Sequence, residues 1–209
     1  MLIEKKYEIL ESLPVYGSMY ISISDSEEPF FSEGYVIRFF KSDNTQWIAN
    51  FALGWTDYSK VFDFPEHNII IVIAGGTAYV MNPDDEKPKL IFGITISETV
   101  ETANRSLIFA DDIKIIVFDN SNGEFWETRP ISWDGIRNLK ISGDILFGES
   151  YRPTNSTEEW GSFSINLKTR EVEGGTWNDF FQNNLHLEVG TNGMLSKKAK
   201  KKSWWKLWK

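Results

Sequence analysis

The stretch NIIIVIAGGTAYVMN, residues 68–82, most restricts what this chain can fold into. The apolar run Ile69 to Ala74 has the length of a strand, and its Ile and Val side chains pack best on a pleated surface. Two glycines follow at once, and a second apolar run starts beyond them. A tight turn between antiparallel strands needs residues that tolerate positive φ, which glycine does at no steric cost. The stretch therefore reads as a β-hairpin turning at Gly75-Gly76.

The same order of runs and turns recurs along the chain. Residues 68–95, 106–132 and 137–174 each read as an apolar run, a tight turn, a second run, a polar turn and a third run. The tight turns fall at Gly75-Gly76, Asp111-Asp112 and Gly143-Asp144, and residues 18–24 with 34–51 supply the runs of an earlier unit. A period in this range points to repeated antiparallel meanders. One meander buries a single face poorly, so neighbouring units must stack or close on one another. The expected fold is mainly β: antiparallel meander repeats in a small or irregular propeller-like arrangement, with a twisted sheet or β-sandwich as the alternative. Aromatic residues make up 15% of the chain, which suits strands.

Past Gly175 the pattern changes. Trp177, Phe180, Phe181 and Leu185 fall at helical spacing behind Thr176 or Asn178 as N-cap, which predicts a short packing helix. The expected organisation is one β-repeat domain over residues 1–187, a linker over 188–196 and a flexible basic tail over 197–209.

EGYVIRFFKSDNTQWIANFALGW, NIIIVIAGGTAYVMNPDDEKP and ISWDGIRNLKISGDI together resemble a family of uncharacterised small acidic bacterial proteins built from propeller-like β-repeats. The likeness covers residues 30–175 and implies the fold rather than an activity. Proteins of this sort are similar to small acidic neighbours of toxin genes, which implies an immunity or adaptor role.

Charge is distributed unevenly. The seven lysines of residues 197–209 leave 15 of the 22 basic residues to face all 30 acidic ones over residues 1–196, a net charge of −15. Such a body repels nucleic acid and anionic lipid and attracts basic partners. The chain has no cysteine, which rules out disulfides and thiolate metal sites. The start MLIEKKYEIL lacks the apolar core of a secretory signal, and no apolar stretch approaches membrane-spanning length, so a cytoplasmic location is expected.

Chemistry-bearing constellations are few. His67, in PEHN before a strand, reads as a loop residue, and His186, between Leu185 and Leu187, as a solvent-facing one. Neither has metal-ligand spacing, and neither a P-loop, a dinucleotide fingerprint nor a nucleophile elbow is present. DNSNGEFWE, residues 119–127, puts glycine at the fifth position where a calcium loop needs it at the sixth, so Asn122-Gly123 reads as a turn. Glu124 and Glu127 flank Trp126 and form the one candidate carboxylate pair for a carbohydrate-active protein. Strand alternation, however, sends them to opposite faces. Trp133-Asp134-Gly135 reads as a tight corner anchored by the indole. No catalytic residue, cofactor or metal is assigned.

The tail KKAKKKSWWKLWK remains. In helical form it brings Trp204, Leu207 and Trp208 to one face with Trp205 at its edge, flanked by Lys200, Lys201, Lys202 and Lys206. These residues suit contact with a partner groove, with the chain's own acidic body or with an anionic membrane surface. Nucleic acid is disfavoured by the charge of the body. The leading expectation is a non-enzymatic module whose acidic β-surface binds another, basic protein. A peripheral membrane protein recruited by its tail is the alternative.

Overall fold

A computed structural model describes residues 6–17, 19–26, 30, 32–153, 158–177, 187–189 and 195–197. It is mainly β, and the described strands fall into four four-stranded sheets and one hairpin. The first sheet takes β1 (Tyr7–Ile9), β2 (Ile21–Ile23), β3 (Tyr35–Phe40) and β4 (Gln46–Phe51) in the order β1-β3-β4-β2. It is mixed, because β2 runs parallel to β4. The second is a plain antiparallel meander of β5 (Lys60–Phe64), β6 (Ile69–Ala74), β7 (Thr77–Met81) and β8 (Leu90–Phe92). The third repeats that topology with β9 (Glu98–Glu101), β10 (Leu107–Ala110), β11 (Ile115–Asp119) and β12 (Glu124–Glu127). So does the fourth, with β13 (Ile136–Ser142), β14 (Ile145–Pro153), β15 (Glu158–Asn166) and β16 (Val172–Gly174).

Side-chain alternation decides how the sheets stack. Every residue of β6 is buried, although a strand with one wet face would alternate. Along it Ile70, Val72 and Ala74 enter a cluster with Ile37, Phe39, Trp47 and Phe51 of the first sheet. Ile69, Ile71 and Ile73 point the other way, to Leu107, Phe109, Ile116 and Phe118 of the third. The third sheet divides itself likewise, giving Ile108, Ala110, Ile115 and Val117 to Ile136, Leu146, Phe163 and Ile165 of the fourth. The sheets thus lie face to face in chain order, with the second and third covered on both sides. Each fully buried Ile or Phe contributes roughly 1.5–3 kcal/mol relative to exposure, so the stack draws its stability from these three interfaces. No sheet closes on itself among the described residues.

Several expectations need correction. The units have four strands, not three, because β5 and β9 precede the runs first recognised. The tight turn of the third sheet lies one residue later than expected: Asp111 N donates to Lys114 O at 3.1 Å, which puts Asp112 and Ile113 at the tip. Gly143-Asp144 joins the first two strands of its sheet, whereas Gly75-Gly76 joins the middle two, so the two turns are not equivalent. Residues 188–196 are not a plain linker. β17 (Leu187–Val189) pairs antiparallel with β18 (Leu195–Lys197), aligning Leu187 with Lys197. Helical backbone begins at Thr176 and Trp177. The remainder of the expected helix, and the tail from Lys198 onward, lie outside the described residues.

Candidate functional site

Three segments carry the chain from one sheet to the next: 52–59, 93–97 and 128–135. All three cross the same end of the stack, where Gly75-Gly76 and the turn at 111–114 also lie. Backbone groups bind them together there. Gly54 N donates to Ala74 O at 2.9 Å, Thr56 N to Gly75 O at 2.9 Å, and Gly76 N to Tyr58 O at 3.0 Å. From the second crossing, Ile96 N donates to Gly76 O at 3.1 Å. The two crossings also meet directly, through Trp55 N to Ile94 O at 2.8 Å and Thr56 Oγ1 to Ile96 O at 2.8 Å.

The pattern continues onto the third sheet. Thr95 Oγ1 donates to the Asp111 carboxylate and accepts from Asp112 N at 3.3 Å. Ile131 N donates to Ile113 O at 2.8 Å, and Gly135 N to Asp112 O at 2.8 Å. Trp133 forms the expected corner: its N donates to Tyr151 O at 3.1 Å, and its ring lies against Trp177, tilted by 40° at 4.2 Å between centroids.

With the crossings' polar backbone turned inward, several apolar side chains are left outside. Leu53 is 56% exposed, Trp55 78%, Ile94 40% and Ile113 39%. Bonds from Trp55 to Ile94, from Thr95 to Asp112, and from Asp112 to Gly135 bring the segments that carry them together as a band at this end. Carboxylates border it. Asp57 and Asp134 are exposed, and Asp112 is half-buried. Burial is the main cause holding the Asp112 carboxyl above its ordinary 3.8, with the Asp134 and Asp111 carboxylates adding to it against a hydrogen bond from Thr95. A cation arriving beside Asp112 would relieve that repulsion. An apolar band carrying an indole, rimmed by acidic groups, can take a partner's apolar anchors and its basic side chains together.

The residues singled out by sequence fare differently. Glu124 and Glu127 do not converge: Phe125 packs toward the second sheet and Trp126 toward the fourth, so the two carboxylates lie on opposite faces of β12. Glu127 is paired with Lys114 Nζ at 2.6 Å, and Glu124 Oε2 accepts from Asn122 Nδ2 at 3.3 Å. The carboxylate-pair reading therefore goes no further. His67 ends a short 3-10 turn (Pro65–His67), with Nε2 2.8 Å from Asn120 O and its ring edge-on to Phe118. Among the described residues no three His, Asp or Glu side chains gather as a metal site, and no helix is long and apolar enough to cross a membrane. His186, Lys200, Lys201, Lys202, Trp204, Trp205, Lys206, Leu207 and Trp208 lie outside the described residues.

Sequence reasoning missed Leu53, Trp55, Ile94 and Ile113. One signal was available: FALGWTDYSK and FGITIS place large apolar residues between strands, where no strand alternation requires them. No protein-family model and no curated protein matches the chain.

Proposed function

We propose that the crossing end of the stack is a docking surface for a basic protein, and that the chain acts by binding rather than by catalysis. The observation that carries this reading is the exposed band of Leu53, Trp55, Ile94 and Ile113 set beside Asp57, Asp112 and Asp134. Trp55 is its natural anchor, since tryptophan dominates binding energy where it enters a partner's pocket. The net charge of −15 over residues 1–196 steers a cationic partner to the surface and speeds encounter. An immunity or adaptor role fits a protein that works by occupying its partner.

The test uses a synthetic peptide of alternating lysine, leucine and tryptophan as a stand-in for a basic partner segment, with fluorescence anisotropy against the full chain. Binding that weakens with salt, and weakens about 30-fold or more on Trp55→Ala, supports the proposal. No binding, or equal binding by Trp55→Ala, overturns it. Binding only by a full chain with Trp204, Trp205 and Trp208 changed to alanine would also overturn it, assigning the surface to the chain's own tail.

A further inference from the structure

The opposite end of the stack carries a second feature, independent of the docking reading. There the hairpin turns of the third and fourth sheets enclose a cleft of about 570 Å³. This lies within the usual range for small-molecule sites. Four turns build it: 102–106, 119–123, 143–144 and 167–170.

Its chemistry is mixed and balanced. Trp126 stands in the wall, partly buried on the face of β12 turned toward the fourth sheet. The Arg170 guanidinium lies over the Trp126 ring, 5.2 Å from its centroid, held there by a backbone at φ +64° whose N donates to Asn166 O at 2.7 Å. Asp119 accepts from Ser121 N at 2.9 Å and Ser121 Oγ at 2.7 Å, both on Oδ1. Those bonds, and secondarily Arg170, keep its carboxyl below the ordinary 3.8, so it is an acceptor at neutral pH. At the mouth Lys168 Nζ pairs with Asp144 Oδ2 at 2.6 Å.

Two carboxylates and two cations leave the cleft without net charge, so neither a phosphate nor a metal cation is favoured. What remains is a carboxylate acceptor, a fork of N–H donors, hydroxyl and amide groups, and one indole. A sugar ring suits that set: vicinal hydroxyls bonded by carboxylate and guanidinium, and apolar C–H groups beside the indole. We infer that this cleft binds a neutral saccharide, with Asp119 and Arg170 as hydroxyl partners beside the Trp126 indole. No bond is made or broken. The site is distinct from the Glu124 and Glu127 pair, of which neither lines the cleft.

The experiment is saturation-transfer NMR and isothermal titration of the full chain with cellotriose, maltotriose and chitotriose, with glycylglycine as a zwitterionic comparison. Saturable binding of at least one sugar, with Kd about 1 mM or tighter, is expected. Asp119→Asn and Arg170→Gly should each weaken it at least tenfold. Arg170→Gly keeps the test sound, because glycine accepts the positive φ there and the fold is not strained by the change. Binding unchanged in Arg170→Gly, binding of glycylglycine alone, or no binding at all would each overturn the assignment.

Discussion

Changing Gly76 to alanine tests whether the crossing end is as tightly built as its bonds indicate. Gly76 has φ +94°, and a Cβ there would meet Thr56 Oγ1 at 2.6 Å, Ile94 O at 2.9 Å and Ile96 O at 3.1 Å. The two carbonyls belong to backbone already fixed by Trp55 N and Thr56 Oγ1, so neither can retreat without breaking a bond. Positive φ alone costs alanine about 1 kcal/mol. Forcing the crossing aside adds about 1–3 kcal/mol, for a loss of roughly 2–4 kcal/mol. Gly143→Ala is the control, since its φ is +58° and a Cβ there has nothing within 4 Å. It should lose only about 1 kcal/mol. Equilibrium unfolding in urea, with the m-value unchanged, gives both numbers. Amide hydrogen exchange should also quicken at Gly54, Trp55 and Thr56 in the first variant alone. Equal losses in the two variants would refute the steric argument.

Two further outcomes follow from buried ionisable groups. The Asp112 carboxyl is raised above 3.8 in the folded protein, chiefly by burial, so the folded state holds this proton more tightly than the unfolded one. Its contribution is therefore most favourable at low pH and declines as pH rises through the window just above 3.8. Asp112→Asn should accordingly gain stability relative to the parent as pH rises through the window just above 3.8, and carboxyl NMR should find Asp112 titrating above Asp119. Tyr79 is 1% exposed, and its hydroxyl donates to Ala52 O at 2.8 Å. Burial, and then Asp25, push its phenol up to about 12. Tyr79→Phe should cost about 1–2 kcal/mol in the same unfolding assay, and ultraviolet titration of the variant should lose the last phenol to ionise.

Local chemistry made much of the strand content legible, and long-range geometry hid the rest. The run Ile69–Ala74 with its two glycines reads as a hairpin from sequence and is one, Ala74 pairing with Thr77. β5 and β9 were missed because KVFDF and ETVE are short and mixed, and they become strands only by pairing with β6 and β10. Turn position was the costlier error. A turn at Asp111-Asp112 makes Ile113 the first residue of a strand, and a one-residue slip exchanges the faces of everything beside it. With the tip at Asp112 and Ile113, that isoleucine is instead lifted into solvent at 39% exposure, next to Asp112.

Neither candidate site could be read from one segment, because each is assembled across units, and topology gives the two ends different chemistry. At one end the chain must pass between sheets. Its backbone groups are taken up by the turns beneath, as with Thr56 N on Gly75 O, and its side chains are turned out wherever those turns leave no room. Gly75 illustrates this: a Cβ there would already lie 3.0 Å from that of Leu53. Such an end readily presents apolar side chains. At the other end the second, third and fourth sheets present hairpin turns, closed by side-chain oxygens on nearby amides: Ser121 N on Asp119, Glu124 N on Asn122, and Lys168 N and Thr169 N on Asn166. Turn chemistry of that kind concentrates Asn, Asp, Ser and Thr where two sheets diverge, which makes a polar cleft. The docking proposed at the crossing end and the small-molecule binding inferred at the hairpin end both rest on stacking meanders in chain order. Variants of Trp55 and Arg170 should accordingly affect one activity each and leave the other unchanged.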